Sequence, residues 1–360
     1  MWIRIAISVC IVATTIYILQ YGATFHTPQC TLLGFNCPPS VVVDGFTTDK
    51  YRALREVYQE MFDQGEDLTS CFAVYENAEL VVDLCGGNVT TALGEKNFRD
   101  VVQNVFSSTK TLVKITVAML VDRGLLDYQE PVSKYWPEFA QGNKGHVTIS
   151  DLMGHASGVS AIDQNIPWDV IGTDDKLDEL GRILARQKHN FEVVRRVDPK
   201  NRTIAQFATD EIIQPLDVRF YFGLPEDLEP ELYTYFYDHP KINMALRIMP
   251  RVLFSLPFVE SLKEDQPFFW SVLTGDAFST FIMVHKIFGK GSPFSYINPT
   301  AFFHSKQYRR VQHLAGMNGF SQAIAIAKIG RIMTEGVIDG RVFLSKETRE
   351  KALTPLESEY

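Results

Sequence analysis

A serine and a lysine lie three residues apart where a helical pattern begins, in the stretch NVFSSTKTLVKITVAMLVDRG at residues 104–124. At the first turn of a helix, Ser107 and Lys110 share one face, and the amine is within reach of the hydroxyl. A serine hydroxyl is a weak nucleophile until a neighbouring base takes its proton. Lysine can be that base when burial or nearby charge lowers its pKa. The pair therefore predicts nucleophilic acyl transfer, with Ser107 as nucleophile and Lys110 as base.

The same residues also fit a structural interpretation, in which Ser107 caps a helix and Lys110 is solvated. The catalytic interpretation needs a group that stabilises negative charge on the substrate. The unpaired backbone N–H groups of a helix N-terminus can do so, and the N–H of Ser107 is the candidate.

Further motifs follow the pair in a fixed order. They are GLLD at 124–127, WPEF at 136–139, TISDLMGHASG at 148–158, IIQPL at 212–216 and GMNGFSQAIAIAKIG at 316–330. With the serine-any-any-lysine motif, they resemble the serine β-lactamase-like family of class C β-lactamases, penicillin-binding-protein-like peptidases and esterases. The nearest resemblance is to the β-lactamase-domain proteins of animals. His155 stands in a part of the motif that shapes a helix end in that family, so the resemblance implies a structural role for it.

The resemblance implies an α+β fold, with an antiparallel sheet flanked by helices and a mainly helical subdomain. It also implies acyl-enzyme chemistry on an amide or ester, of the peptidase or esterase type. Serine–lysine acyl transfer needs no metal or organic cofactor, so we expect none. The expected partner is a small-molecule or peptide substrate.

Two motifs of that family have no counterpart in this sequence. The tyrosine that relays the nucleophile's proton, with its P-G-T approach and most of the next helix, is missing at Phe191–Val193, which indicates an internal deletion. The lysine- or histidine-threonine/serine-glycine strand is not found before Tyr360, so we expect an incomplete sheet. Tyr296-Ile297-Asn298 fits the tyrosine motif by letters but lies out of order.

Three hypotheses follow from these differences. The chain is an active serine hydrolase, a non-catalytic β-lactamase-fold scaffold or binding protein, or a shortened isoform of an active enzyme.

The elements that must position the pair follow from the hydrophobic pattern. Apolar residues at a spacing of three and four predict helices over 51–62, 109–123, 173–188 and the stretch after Gly319. Residues 71–86 predict a β-hairpin that turns at 76–79. A helix that packs on such a hairpin is typical of an α+β layer.

The N-terminus has its own pattern. Residues 5–19 carry no charge, and the apolar character continues to Phe25, with Arg4 before it and no further basic residue until Lys50. This layout predicts a signal anchor over 1–25 and a lumenal remainder. A cleaved signal peptide is the alternative, which would make the protein secreted. Residues 26–45 then form a linker, and 46–360 the β-lactamase-related domain. The predicted localisation is the secretory pathway, as a single-pass membrane protein with a lumenal or extracellular domain.

Four cysteines beyond the apolar stretch fit a secretory compartment. Cys30 and Cys37 could close a short loop, whereas Cys71 and Cys85 would face each other across the hairpin. Neither pair has metal-ligand spacing with histidines, so no metal site is predicted.

Two sequons predict glycosylation, at Asn88 and at Asn201.

The chain has 35 basic and 43 acidic residues, a net charge of −8 and no basic stripe, which excludes nucleic acid as a partner. The mixed runs VRRVDPKNR at 194–202 and QYRRVQ at 307–312 are interpreted as solvated faces.

Overall fold

The computed structural model describes residues 40–157, 179, 182, 193–233, 305–312 and 316–354. Its strands are β1 (Asp44–Thr47), β2 (Ser70–Glu76), β3 (Glu79–Gly86), β4 (Asn88–Thr91), β5 (Gly94–Asn97), β6 (Val102–Asn104), β7 (Phe220–Phe222), β8 (Leu232–Tyr233), β9 (Gly319–Ser321), β10 (Val337–Ile338) and β11 (Arg341–Val342).

Its helices are α1 (Arg52–Asp63), α2 (Lys110–Asp122), α3 (Val132–Tyr135), α4 (Ile149–Met153), α5 (Val193–Val197), α6 (Ile204–Ala208), α7 (Gln214–Leu216), α8 (Lys306–Arg310), α9 (Ala323–Thr334) and α10 (Lys346–Leu353). Short 3₁₀ turns lie at Asp49–Tyr51, Phe98–Asp100, Phe106–Thr109, Pro137–Ala140 and Glu226–Glu231, and a π-helical turn at Thr209–Ile213.

The first layer is a three-stranded sheet in the order β1-β3-β2, covered by α1. Strands β2 and β3 form the expected antiparallel hairpin, and Cys71 stands opposite Cys85, to which it is joined by a disulfide bond. The turn between them is tight because Asn77 and Ala78 both adopt positive φ angles. Strand β1 begins at Asp44, inside the segment predicted as linker. Its residues are mostly exposed and carry no apolar run that would have predicted a strand.

A second sheet, in the order β7-β9-β6-β8, lies beside the main core. Strand β9 pairs antiparallel with β6 and β7, whereas β8 runs parallel to β6. Helix α2 follows β6 directly and is buried over most of its surface, because eight of its 13 residues are inaccessible. It packs against α6, α9 and α10. The predicted α+β fold class is therefore confirmed, with sheets that are small and open.

The two basic runs that we interpreted as solvated faces, 194–202 and 307–312, are partly buried. Tyr308 is completely buried, and only 3% of Asp198 and 9% of Arg202 remain exposed. Burial of the charged residues is possible because the guanidinium of Arg202 donates hydrogen bonds to Asp198, Asp210 and Glu211. A buried charge is tolerated when it is paired and hydrogen-bonded in this way.

The predicted localisation as a single-pass membrane protein is wrong, because the structure contains no helix of the required kind in its described part. Across the described ranges, no helix is both long and apolar enough to cross a membrane. The longest of these helices, α2, has 13 residues and spans about 20 Å, whereas the hydrocarbon layer measures about 30 Å. Residues 5–25, on which the prediction rests, lie outside the described residues.

Other sequence predictions also fall outside the described residues. They are the disulfide candidates Cys30 and Cys37, the motif Tyr296-Ile297-Asn298 and nearly all of the predicted helix over 173–188. The proposed deletion at Phe191–Val193 lies at the border of a described segment and stays a prediction.

Candidate functional site

The serine and lysine of the opening motif lie side by side at the start of α2. Ser107 is exposed on the 3₁₀ turn that precedes the helix, and the partly buried Lys110 is the first residue of α2. The Nζ of Lys110 donates to the Oγ of Ser107 over 2.9 Å. The same Nζ donates to the backbone oxygen of Gly316 over 2.6 Å. The amine is thus fixed between the hydroxyl and a carbonyl from a distant part of the chain.

The turn that carries Ser107 has an unusual backbone. Phe106 adopts a φ of 44°, which is rare for a bulky side chain and is retained only where the surroundings enforce it. Its N–H donates to the Oδ1 of Asn104 over 2.7 Å. The hydroxyl of the buried Thr109 donates to the carbonyl of Phe106 and accepts a hydrogen bond from the N–H of Gly319 over 2.9 Å. These bonds fix the residues on both sides of Ser107.

Strand β9 brings the second half of the site to the first. It pairs with β6, and the N–H of Val105 donates to the carbonyl of Gly319 over 2.9 Å. Gly316, whose oxygen holds Lys110, lies three residues before this strand. The strand pairing therefore positions the carbonyl that orients the candidate base.

The electrostatics of the site shift Lys110 towards its neutral form. Burial lowers the pKa of Lys110, and the positive charge of Lys114, one helical turn on, lowers it further. His155 adopts a φ of 59° after α4, and its pKa is lowered by burial and by Lys110 and Lys114. The histidine thus shares the electrostatic field of the two lysines without a hydrogen bond to the pair in the described region.

A cleft of about 1360 Å³ opens along α2, beginning at Lys114 and continuing towards α10. Its described walls include apolar side chains such as Ile115, Met153 and Leu353, and charged ones such as Asp127 and Lys351. Neither Ser107 nor Lys110 is among the described residues that line this cleft, so no part of a substrate is assigned to it.

The remaining predicted residues lie on other elements. Asn88 is exposed on β4, where its side chain donates to Glu95, and Asn201 is exposed just after α5. The disulfide between Cys71 and Cys85 belongs to the first sheet. In the described segments there is no group of three or more histidine, cysteine, aspartate or glutamate side chains that could hold a metal ion.

Sequence reasoning missed four residues that shape the site: Asn104, Thr109, Tyr308 and Gly316. Thr109 lies within the serine–lysine motif and could have been noted from its position alone. The other three act through a side-chain amide, a buried phenol and a backbone carbonyl. Their connection to the site depends on strand pairing and leaves no local sequence pattern.

The chain has relatives among known proteins. Residues 55–358 match the model of the protein family described as Beta-lactamase. The chain is similar to Esterase/beta-lactamase LipL of Mycobacterium tuberculosis, with 32% identity over 120 residues. That match covers 33% of this chain and only 28% of the esterase, so it spans little more than a quarter of that relative's length.

Two solved structures share the fold. One is a penicillin-binding protein homolog from Caulobacter crescentus, with a TM-score of 0.62 and 24% identity. The other is a family VIII carboxylesterase, with a TM-score of 0.61 and 20% identity. Each comparison covers 86% of this chain and 76% of the other.

Proposed function

Because its residues 55–358 match the family model, the chain belongs to the beta-lactamase family, and from this premise we propose that it is a serine hydrolase acylated at Ser107. The proposed substrate is an ester or amide. One observation carries the proposal: the Nζ of Lys110 lies 2.9 Å from the Oγ of Ser107, with a pKa that burial and Lys114 hold below its ordinary value.

The proposed reaction has two stages. Neutral Lys110 takes the proton of Ser107 as the Oγ attacks the carbonyl carbon, so that a C–O bond forms and the carbonyl oxygen becomes negatively charged. The backbone N–H of Ser107 stabilises this oxygen. The intermediate collapses with loss of an alcohol or amine, which takes the proton from Lys110 and leaves an acyl-serine. Water, deprotonated by Lys110, then attacks the acyl-serine; the bond from the acyl carbon to the Oγ breaks, the Oγ takes the proton from Lys110, and the acid is released.

The carbonyl of Gly316 has a defined part in this scheme. It accepts a hydrogen bond from Lys110 and orients the Nζ towards Ser107, so that the geometry for proton transfer exists before substrate arrives. An exposed Ser107 is open to a substrate, which fits the position of a nucleophile.

The proposal is tested by covalent labelling of the full chain. We expect a fluorophosphonate to add one adduct, detected by intact-mass spectrometry, and the Ser107→Ala variant to remain unlabelled. Ser108→Ala is the matched control, because Ser108 is exposed in the same turn and its variant should label like the wild type. A protein with a sharp thermal transition and no adduct would contradict the proposal.

One observation favours a second candidate function, a non-catalytic scaffold or binding protein of the same fold. Throughout the described ranges, no tyrosine hydroxyl makes a hydrogen bond to Ser107 or Lys110. A relay group for the leaving-group proton is therefore not seen there. The second candidate predicts cooperative unfolding with no acylation, so the labelling experiment separates the two.

A further inference from the structure

A buried phenol lies between the two segments that form the site. Tyr308, on α8, is completely inaccessible, and its hydroxyl has two hydrogen-bond partners among the described residues. It accepts one from the side-chain amide of Asn104 over 2.9 Å and donates one to the carbonyl of Met317 over 2.9 Å. A buried hydroxyl is costly unless it is satisfied, and this one is satisfied by partners from two distant parts of the chain.

Each partner is close in sequence to one member of the serine–lysine pair. Asn104 also accepts the hydrogen bond from the N–H of Phe106, the residue immediately before Ser107. Met317 directly follows Gly316, whose oxygen binds Lys110. A chain of hydrogen bonds therefore runs from the turn that carries the nucleophile, through one phenol, to the segment that holds the base.

The phenol is itself held in place from the same segment. The side-chain amide of Asn318 donates to the carbonyl of Tyr308 over 2.8 Å and also to that of Val311. Asn318 is 1% exposed and immediately precedes β9. Helix α8 and the stretch 316–319 are thus connected both through the phenol and through this backbone contact, which limits their relative movement.

We infer that Tyr308 is a positioning residue, whose hydroxyl sets the distance between the turn that carries Ser107 and the carbonyl that orients Lys110. The inference deepens the proposed function and rests on it for the chemistry at Ser107. In the described region, the hydroxyl of Tyr308 makes no hydrogen bond to Ser107 or Lys110, and its action on the pair runs through Asn104 and Met317.

The test is the Tyr308→Phe variant, which keeps the ring and removes both hydrogen bonds. We expect fluorophosphonate labelling of Ser107 to slow about tenfold, the effect of roughly one neutral hydrogen bond. Tyr58→Phe is the matched control, because the Tyr58 hydroxyl is partly buried and hydrogen-bonds to Ser70 over 2.7 Å, on the first sheet layer. Where the wild type takes the label, equal labelling rates in both variants would overturn the inference.

A second readout does not depend on acylation of Ser107. Trace labelling of amines with acetic anhydride across a pH series, followed by peptide mass spectrometry, gives the titration of Lys110 itself. The charged or titratable groups that face this amine are Lys114 and His155. We expect a wild-type midpoint below 10.5 that rises towards 10.5 in Tyr308→Phe, because a loosened site admits water, and stays unchanged in Tyr58→Phe.

The two readouts separate the possible failures. If wild-type protein takes no fluorophosphonate but Tyr308→Phe shifts the Lys110 midpoint, the proposed function is wrong and the positioning role stands. If the midpoint does not move, the positioning role is wrong whatever the labelling shows. A double-mutant cycle with Asn104→Ala adds a third criterion: the two substitutions act on one chain of bonds, so their effects should not add.

Discussion

At the scale of residues, the central fact is that Lys110 has two acceptors and a positive neighbour. The hydroxyl of Ser107 and the carbonyl of Gly316 hold the amine in one position, and Lys114 adds a like charge one turn away. A carbonyl acceptor favours the protonated amine, whereas burial and Lys114 favour the neutral one. Burial and Lys114 outweigh the carbonyl, so the pKa of Lys110 is lowered overall.

This balance leads to a prediction for Lys110→Arg. Arginine is always positively charged in a protein and cannot lose its proton, so it cannot act as a base. We expect the fluorophosphonate labelling rate to fall by about 10² or more, the usual contribution of a general base. Lys114→Arg is the control, since it retains the charge beside the site and should label within about twofold of the wild type. Similar rates in the two variants would exclude Lys110 as the base.

At the scale of elements, the site depends on how closely β9 approaches the turn before α2. Gly319 lies against Thr109 and Phe220, and a Cβ atom there would stand 2.5 Å from the Thr109 hydroxyl and 2.6 Å from the phenyl ring. The backbone N–H of Gly319 also donates to that hydroxyl. Only glycine permits this contact, because any larger residue would place a Cβ atom there. The absence of a side chain at Gly319 therefore lets β9 approach the turn before α2 this closely.

Substitution at Gly319 therefore tests the element contact. Gly319→Ala should destabilise the protein by about 1–3 kcal/mol, because strand or turn must shift to relieve the overlap. Gly330→Ala is the matched control: it lies within α9, where a Cβ meets no atom within 4 Å. There alanine should be neutral or stabilising by up to about 1 kcal/mol. Urea unfolding followed by circular dichroism measures both, and equal effects would contradict the packing argument.

At the scale of the whole molecule, a buried charge network joins the helices on one side of the core. Arg202 binds Asp198, Asp210 and Glu211, and Glu211 also binds Arg123 at the end of α2. Burial alone raises the pKa of Asp198, but the hydrogen bonds from Arg202 hold it below its ordinary value of 3.8. The pKa of Glu211 is likewise held below 4.5 by Arg123 and Arg202 against the effect of burial.

The direction of these shifts predicts an acid-sensitive fold. A carboxyl with a lowered folded-state pKa contributes stability that is complete above its unfolded pKa and is lost as pH falls through the folded value. We therefore expect the free energy of unfolding to be nearly constant from pH 7 to 5 and to fall below about pH 4. Asp198→Asn should lower stability at pH 7 by about 1–3 kcal/mol, since Arg202 loses one of its three carboxylate partners.

The acid dependence itself distinguishes the network from general charge repulsion. Asp198→Asn should lose less stability between pH 5 and 3 than the wild type does. Asp227→Asn, at an exposed aspartate on the 3₁₀ turn Glu226–Glu231, serves as the control and should behave like the wild type. Parallel pH profiles for all three proteins, measured by urea unfolding, would argue against a role for the network.

The amino-acid sequence by itself determined the local features of this protein. Hydrophobic spacing placed the hairpin β2–β3 and the helix α2 close to their observed bounds, and the serine–lysine spacing placed both groups at one helix end. These features follow from periods of two and 3.6 residues, which neighbouring residues set among themselves. The same reasoning failed where charged runs were interpreted as solvated, because burial of Arg202 depends on partners that helix packing brings to it.

Only the tertiary structure decided how the site is completed. The bond from Lys110 to Gly316 joins residues 206 positions apart, and that from Asn104 to Tyr308 joins residues 204 apart. No local pattern encodes such contacts, since they arise when β9 pairs with β6 and when Tyr308 of α8 meets Asn104 of β6. The sequence therefore specified which groups could react, and the packing of distant segments specified the acceptor, the phenol and the glycine that hold them in place.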